Sequence, residues 1–503
     1  MRKLTALGVA LGAVLALVAI GGRGAVAEAA TLVVDDDGFA SATNCNDLTT
    51  PAFTTISAAV AAASPGDTIK VCPGFYNEQV SINTDNLTLL GAKAGVDART
   101  RTFVLTDESI INNACGPVQL TSDNVVLDGF TVQGSTMSDP CFIAGIWSNP
   151  VSQGKNGGYK ILNNIVQNNI SGIELDSTCL NPTLAQFNLI QNNNNPGPGA
   201  GNGIQTNFGL CNATIDSNKS SGHVNTSMLF VATQSNLAIS NNELVGGTPE
   251  RIVLAFTSMS SITGNVSIGS TSSGTIRLFG GNANVTINSN TLFNGMRGIR
   301  VDDPFAIGAN SGVQGHFNCI QGNSIAGLEV ASGGHTGTLN AENNWWGSPN
   351  GPTNPNNPGG TGDKIIDPDG VVDFIPFLNG CPTGAAAPRM VTGGGQVNVN
   401  MTGGKGSFGF SAKQDTQSGH LDYMNHVTRA HLNCTVTVVT IISATKATLS
   451  GTCSSNSAAP NFKADVEDNA KQGKNADKFQ ITYGTNVNEG GPGPIVSGNI
   501  QIK

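Results

Sequence analysis

The chain is long, rich in glycine and poor in charge. It has 503 residues, including 64 Gly and 22 Pro, and 12% of its residues are charged. Soluble domains carry roughly 25% charged residues, so a coiled coil or an ion-paired helical bundle is excluded. The net charge of −9, without a basic run, excludes the electrostatic footprint of a nucleic-acid-binding protein. At this length we expect two units or a repeat array.

The N-terminus has the layout of a secretory signal peptide. Arg2 and Lys3 precede an apolar stretch over 4–20, and small-x-small sites end at Ala27 and Ala29. We therefore assign residues 1–29 to a signal peptide and expect a secreted, extracellular protein without a transmembrane helix in the mature chain. An uncleaved membrane anchor is the alternative.

All ten cysteines lie beyond this segment, and an even number in an exported chain indicates disulfides. Zinc is disfavoured because there is no C-x-x-C pair and the histidines are scattered. Connectivity is not fixed by sequence, and our hypothesis pairs neighbours in order. It gives Cys45–Cys72, Cys115–Cys141, Cys179–Cys211, Cys319–Cys381 and Cys434–Cys453.

The middle of the chain is a repeat marked by asparagine. The intervals between successive members run from 23 (265−242) to 30 (218−188) residues, which is typical of a solenoid. The recurring residues are Asn164, Asn188, Asn218, Asn242, Asn265, Asn290, Asn318 and Asn344.

Apolar and polar residues alternate before each of these asparagines, and that period indicates strands with one buried face. We therefore predict an all-β coil of short strands stacked into parallel sheets, with the asparagines forming a side-chain ladder. A leucine-rich repeat would need a leucine framework, and ankyrin or tetratricopeptide arrays would need helices, both of which are missing from the sequence.

Two segments carry a family resemblance. Residues 54–82 resemble the opening of right-handed parallel β-helix proteins of the pectin-lyase-like superfamily, and 343–352 with 373–378 resemble the C-terminal finish of its secreted bacterial members. The resemblance implies a right-handed single-stranded parallel β-helix over 31–381. It also implies a short N-terminal cap helix whose core-facing residues are Ile56, Ala59, Val60 and Ala63. Because the superfamily holds enzymes and non-catalytic proteins, the resemblance leaves the activity open.

A second column follows from the pattern Gly-Ile-x-hydrophobic, in which x is expected to point to solvent. The residues at x are Trp147, Glu174, Gln205, Phe230, Val253, Arg277, Arg300 and Glu329, and two positions on lie Asn149, Asp176, Asn207, Phe279 and Asp302. This predicts an exposed stripe of aromatic and charged groups that suits an extended polysaccharide. Ordinary surface polarity is the alternative. The predicted binding residues are Trp147, Glu174, Arg277, Arg300, Asp302 and Glu329.

Acid and aromatic clusters near the end of the repeat have a functional and a structural interpretation. Asp367, Asp369 and Asp373 are spaced much as in calcium loops, so calcium is the cofactor that the residues suggest, although Asp and Gly also simply form turns. Asp35-Asp36-Asp37 is a similar case. For Trp345-Trp346 the alternatives are a sugar-binding platform and a cap on the end of the coil, and we favour the cap.

The C-terminal part has a different composition. We predict a linker over 382–392 and a small β-sandwich-like or barrel-like domain over 393–503, which resembles a β domain that recurs at the ends of secreted bacterial proteins. His420, His426 and His431 lie close in sequence, but their spacing predicts opposing or irregular faces of a strand, so we favour surface histidines over a metal site.

The sequence holds no ordered catalytic motif of lyases, polygalacturonases, methylesterases or epimerases, so whether the chain is an enzyme stays open. We favour a secreted β-helix protein that binds polysaccharide or cell-surface glycan along a sheet face, as a monomer and without a required cofactor. One alternative is a polysaccharide lyase or hydrolase acting on acidic glycans. The other is a purely structural or adhesive surface protein.

Overall fold

The computed structural model describes most of the chain beyond the predicted signal peptide. The described residues are 29–101, 103–138, 141, 143–149, 156–246, 250–271, 273–382, 390–399, 404–414, 418–443, 445–455, 461–484, 487–489 and 493–502. The signal peptide prediction therefore lies outside them, except for residue 29. In this part of the chain, no helix is both long and apolar enough to cross a bilayer.

The strands between residues 31 and 373 pair in parallel into three sheets, each strand with its counterpart one coil on. Sheet A contains Thr31–Val34, Thr68–Val71, Thr88–Leu90, Val126–Asp128, Lys160–Leu162, Thr183–Gln186, Leu210–Asp216, Gln234–Ser240, Thr257–Thr263, Ala283–Asn288, Asn310–Ser311, Gln314–His316, His335–Thr336, Leu339–Asn340 and Val372–Asp373. Sheet B contains Val80–Ile82, Val118–Leu120, Ala144–Ser148, Ser171–Glu174, Asn202–Gln205, Thr226–Phe230, Glu250–Leu254, Ile276–Leu278, Arg297–Val301, Ala326–Val330, Pro352–Thr353 and Gly362–Ile366. Sheet C contains Gly74–Tyr76, Ser109–Asn112, Phe130–Gln133, Ile165–Gln167, Leu189–Gln191, Lys219–Ser221, Glu243–Val245, Val266–Ile268, Thr291–Phe293 and Cys319–Gln321.

The predicted parallel β-helix is therefore confirmed. Most strands point at least one apolar side chain inward, so a single core of Ile, Val and Leu runs from the first coils to the last. Each coil crosses sheets A, C and B in that order, and the corners between the sheets carry the polar turn residues.

The asparagine ladder is also confirmed, at the corner from sheet A to sheet C. Each ladder side chain is buried, and from Asn188 onward its Oδ1 accepts hydrogen bonds from the backbone N–H and the Nδ2 of the ladder asparagine one coil earlier. The left-handed backbone falls on the residue before each ladder asparagine, where φ lies between 53° and 69°. Phe187 and Phe317 occupy two of these positions, so the corner does not demand Asn or Gly at every coil.

A second, interrupted ladder lies at the corner from sheet C to sheet B. Asn169 is bonded to Asn193 in the same way as the first ladder, and near the C-terminal end the amide of Asn323 donates to the carboxylate of Asp363. The glycine of the Gly-Ile pattern leaves room for the side chains of this second ladder, because a Cβ on Gly145 would lie 2.5 Å from the Nδ2 of Asn169.

Both ends of the coil are covered. The helix Ile56–Ala62 buries Ile56, Ala59 and Val60, with Ala63 partly buried, as predicted. The Glu78 carboxylate accepts the N–H groups of Ile56 and Ser57, which fixes the start of this helix. At the other end Trp346 is fully buried in the core, which supports the structural interpretation of the tryptophan pair. Two short 3₁₀ helices, Ala98–Thr100 and Leu105–Asp107, lie in an early loop.

All five predicted disulfides are present with the predicted neighbour pairing. Cys434 and Cys453 are direct partners on adjacent antiparallel strands, so that bridge clamps the C-terminal domain. Disulfides are typical of an oxidising, extracellular environment, which agrees with the predicted location.

The C-terminal domain is one antiparallel sheet of nine strands. In spatial order they are Val487–Glu489, Lys478–Tyr483, Asn461–Glu467, Lys446–Ser455, His431–Ser443, Ser418–Asn425, Lys405–Lys413, Met390–Asn398 and Ser497–Ile502. The sheet curls on itself, since the rings of Phe408 and Phe479, from strands far apart in this order, stack with centroids 4.0 Å apart. The barrel-like form of the predicted small β domain therefore describes it best. Its first strand begins at Met390, inside the segment that we predicted as linker.

Candidate functional site

The predicted outward column lies in register on sheet B. Successive strands align Trp147 with Glu174, then Gln205, Leu229, Val253, Arg277, Arg300 and Glu329. Phe230 was wrongly placed in this column, because its strand lacks the glycine that marks the register. Leu229 takes the outward position, and Phe230 is fully buried in the core.

The prediction that this column is exposed along its length is wrong. Glu174 is 1% exposed, and Gln205 and Val253 are also buried. The loop before the Gln205 strand lies against the Gln205 side chain, since Asn202 donates from Nδ2 both to Oε1 of Gln205, at 2.5 Å, and to the carbonyl of Gly199, at 3.1 Å. Sequence alternation reports the direction of a side chain from its strand and cannot report a loop that covers it.

Burial changes the chemistry of Glu174. Removal from water raises the pKa of Glu174 to about 8, and a hydrogen bond from Nε2 of Gln205 to Oε2 offsets part of that rise. Nearby Asp176 accepts the N–H groups of Asn207, Phe208 and Gly209, so it holds a turn in place.

The six predicted binding residues fall into two groups. Trp147 and Glu174 are neighbours on adjacent strands, while Arg277, Arg300, Asp302 and Glu329 form a second group. Five strand spacings separate Trp147 from Arg277, which is about 24 Å at about 4.8 Å per strand. A single small ligand therefore cannot contact both groups, whereas an extended chain can.

The second group is a network of alternating charges. Arg277 donates to both oxygens of Asp302, at 3.0 and 2.7 Å, and to Glu250 at 3.0 Å. Arg300 lies 3.0 Å from Asp302 and 3.4 Å from Glu329. Arg297 completes the set with a 2.5 Å contact to Glu329. Three arginines thus face three carboxylates, and the network has no net charge.

An aromatic pair borders this network. The Cζ atom of Arg277 lies 4.4 Å from the ring centroid of Phe279. Phe279 in turn meets Phe305 edge to face, with centroids 5.3 Å apart. Phe305 is 71% exposed, and its loop is held by Asp303, which accepts the N–H groups of Ile307 and Gly308. We call Phe279 and Phe305 the aromatic platform.

The carboxylates of the network are already engaged by arginines. Each carboxylate in the network already accepts from, or pairs with, a guanidinium group, so its oxygens are occupied. Sequence analysis missed Glu250, Arg297, Asp303 and Phe305. The first two lie at the starts of strands, outside the Gly-Ile pattern, and the other two lie in a loop without periodicity. An aromatic residue after Asp-Pro was the only signal for Phe305.

The three predicted calcium ligands are not gathered at one point. In the described part of the chain, the one group of three residues with ligand atoms within 4.8 Å of one another is Asp35, Cys45 and Cys72. Both of those cysteines are joined in a disulfide, so that group offers no thiolate. Asp367 accepts from the Val372 N–H, and Asp369 from Ser332 and Gly333. Calcium binding at Asp367, Asp369 and Asp373 stays a hypothesis, and turn formation by these acids is the alternative that the hydrogen bonds favour.

Comparisons with known proteins show the following. No family model and no curated protein sequence matches the chain. Among solved structures, an alginate lyase from Paenibacillus sp. str. FPU-7 is 12% identical, with a TM-score of 0.34, covering 70% of this chain and 98% of its own. The tailspike protein 2 enzymatically active domain of bacteriophage CBA120 is 12% identical, with a TM-score of 0.34 and coverage of 89% and 79%. The gp42 tailspike of Acinetobacter phage vb_AbaP_AS12 is 10% identical, with a TM-score of 0.35 and coverage of 87% and 77%.

Proposed function

We propose that sheet B binds a polysaccharide chain at the aromatic platform and the adjoining charge network, without turning it over. The observation that carries the proposal is Phe305, a largely exposed ring held against Phe279 by an ordered loop. Exposed aromatic rings stack on sugar rings, and neighbouring charged groups bond to the hydroxyls. A ligand at this platform would extend along the coil axis, past Arg277 and Arg300.

The charge balance favours a neutral polysaccharide over an acidic one. The three arginines of the network are each paired with carboxylates, so the network presents no surplus positive charge to a polyanion. The net charge of the whole chain is −9, which disfavours the approach of an acidic glycan at low salt.

A degrading enzyme acting on acidic glycans is the second candidate, and one observation favours it. The raised pKa of Glu174 keeps this carboxyl protonated near neutral pH, as a general acid requires. Because Glu174 is covered by Gln205 and its loop, the loop would have to open for Glu174 to reach a glycosidic bond.

The test is binding to a panel of neutral and acidic polysaccharides, by affinity electrophoresis and calorimetry, with assays for new reducing and unsaturated ends. We expect Phe305→Ala to weaken binding to a neutral member at least about tenfold, as loss of a stacked ring does. Phe317→Ala is the matched control, since Phe317 is also an exposed aromatic residue, 49% exposed, but follows a strand of sheet A. Equal binding by wild type and Phe305→Ala would contradict the proposal. Products that disappear in Glu174→Gln would favour the enzyme.

A further inference from the structure

The C-terminal sheet carries a histidine patch that glycan binding does not use. His420 and Asp422 lie two residues apart on one strand and point to the same outer face. His431 lies on the adjacent strand, directly opposite Met424, so it is diagonal to Asp422. The expectation of opposing or irregular faces was therefore wrong for His420 and His431, although both are surface histidines as expected. It treated the segment as one strand, whereas the turn 426–430 returns His431 to the same face.

The Asp422 carboxylate lies between the two imidazoles. Nε2 of His420 is 2.6 Å from Oδ2, and Nε2 of His431 is 3.7 Å from Oδ1. All three side chains are about half exposed, at 51%, 46% and 54% for His420, Asp422 and His431. The patch is thus open to an ion from solvent, and a carboxylate already orients one of its rings.

We infer that His420, Asp422 and His431 bind a divalent transition-metal ion. Imidazole nitrogen and carboxylate oxygen are the ligands that Zn²⁺ and its neighbours prefer, and two histidines from adjacent strands supply a pair of nitrogens. The ligand atoms do not all lie within 4.8 Å of one another in the present rotamers. Site closure therefore requires the rings to turn about their side-chain bonds, which half-exposed side chains do at low cost. Water would complete the coordination sphere.

The third histidine of the region supplies a matched control. His426 contacts the hydroxyl of Ser407 at 3.0 Å rather than Asp422. It is exposed and lies in the same domain, so His426→Ala removes an imidazole of similar environment without removing a proposed ligand.

The experiment is calorimetric titration of the full mature chain with Zn²⁺, and separately with Ca²⁺. We expect one Zn²⁺ site, no competition by Ca²⁺, and affinity at least about tenfold lower in His420→Ala/His431→Ala and in Asp422→Asn. His426→Ala should retain wild-type affinity. Thermal unfolding in chelator verifies that each variant folds. Absence of Zn²⁺ binding by the wild type, unchanged affinity in the double variant, or equal loss in His426→Ala would overturn the assignment.

Discussion

Asn318 accepts two hydrogen bonds from Asn290, one from its backbone N–H at 2.9 Å and one from its Nδ2 at 3.0 Å. The Nδ2 of Asn290 also donates to the carbonyl of Ile262, and the Oδ1 of Asn290 accepts from the backbone N–H of Asn265, one coil earlier. Each ladder asparagine thus satisfies buried groups in three coils at once, and its loss leaves several of them unpaired.

Asn290→Ala should therefore lower the free energy of unfolding by at least about 2 kcal/mol, since each buried polar group without a partner costs about 1–3 kcal/mol. Denaturant unfolding followed by fluorescence measures it. Asn207→Ala is the control, because Asn207 also lies in the β-helix but is exposed. This substitution should change the free energy of unfolding by no more than about 0.5 kcal/mol. Similar effects for both variants would mean that the ladder adds little.

The raised pKa of Glu174 predicts a loss of stability as the pH rises from about 4.5 to about 8. Its folded pKa of about 8 lies above the ordinary value of 4.5, so the folded state holds the proton more tightly than the unfolded state. The resulting stabilisation is complete below the unfolded pKa and is lost as the pH rises through about 8. The thermal unfolding temperature of the wild type should fall between about pH 5 and about pH 8, and Glu174→Gln should flatten that fall. A Gln variant with an unchanged slope would contradict this explanation.

His223 predicts the opposite trend in acid. This buried ring occupies a position of the second ladder, and its Nε2 contacts the Ile190 carbonyl at 3.2 Å, as the amide of Asn193 contacts the carbonyl of Val166. Burial first, and then the charge of Arg251, lower the pKa of His223 to about 4. Between about pH 6.5 and about pH 4 the unfolded state binds the extra proton, so stability falls as the pH falls.

His223→Asn should remove this acid sensitivity, because an asparagine amide can donate to the same carbonyl without titrating. Unfolding temperatures at about pH 4.5 and about pH 7 measure the effect. His316→Asn is the control, since His316 lies in sheet A outside the ladders. If both variants keep the wild-type acid slope, other groups cause it.

Asp302 holds the charge network together and is 2% exposed. Asp302→Asn removes the charge that faces Arg277 and Arg300, and should destabilise the fold by about 3 kcal/mol. This value is at the lower end of the cost of breaking a buried ion pair, because both arginines keep some contact with water. Asp107→Asn breaks the exposed pair with Lys93 and should cost less than about 1 kcal/mol. Equal denaturation midpoints for the two variants would show that the network is not stabilising.

Calcium should leave the unfolding temperature unchanged. Calcium takes six to eight oxygen ligands. Of the predicted set, Asp369 is engaged by Ser332 and Gly333, and only Oδ1 of Asp367 is buried without a partner in the described part of the chain. A rise with added calcium that chelator reverses, and that Asp367→Asn removes, would restore the calcium site.

Features that recur in every coil could be predicted from the sequence, and features that occur once could not. Asn164 and its successors recur once per coil, so period alone identified the first ladder and the strand register. Phe230 was misplaced by one residue where the marker glycine is absent, because a shift of one residue turns a strand side chain to the other face.

The periodicity of the sequence does not predict the parts of the site that depend on loops and on pairing between strands. Gln205 and its loop bury Glu174, and the turn after Asp302 presents Phe305, but neither loop carries a repeat signal. His431 meets Asp422 only through the pairing of two antiparallel strands. Such contacts depend on tertiary register, which a single sequence does not display.

Asp363 determines where the second ladder stops. An asparagine in a ladder both receives and gives hydrogen bonds, whereas the carboxylate of Asp363 receives from Gly322 and Asn323 and has no N–H to give. The replacement of one amide by a carboxylate therefore makes the end of the coil a poor template for another turn. A stack of this kind can add coils from a second chain, and the acceptor-only side chain of Asp363, together with the cover at Trp346, disfavours such growth.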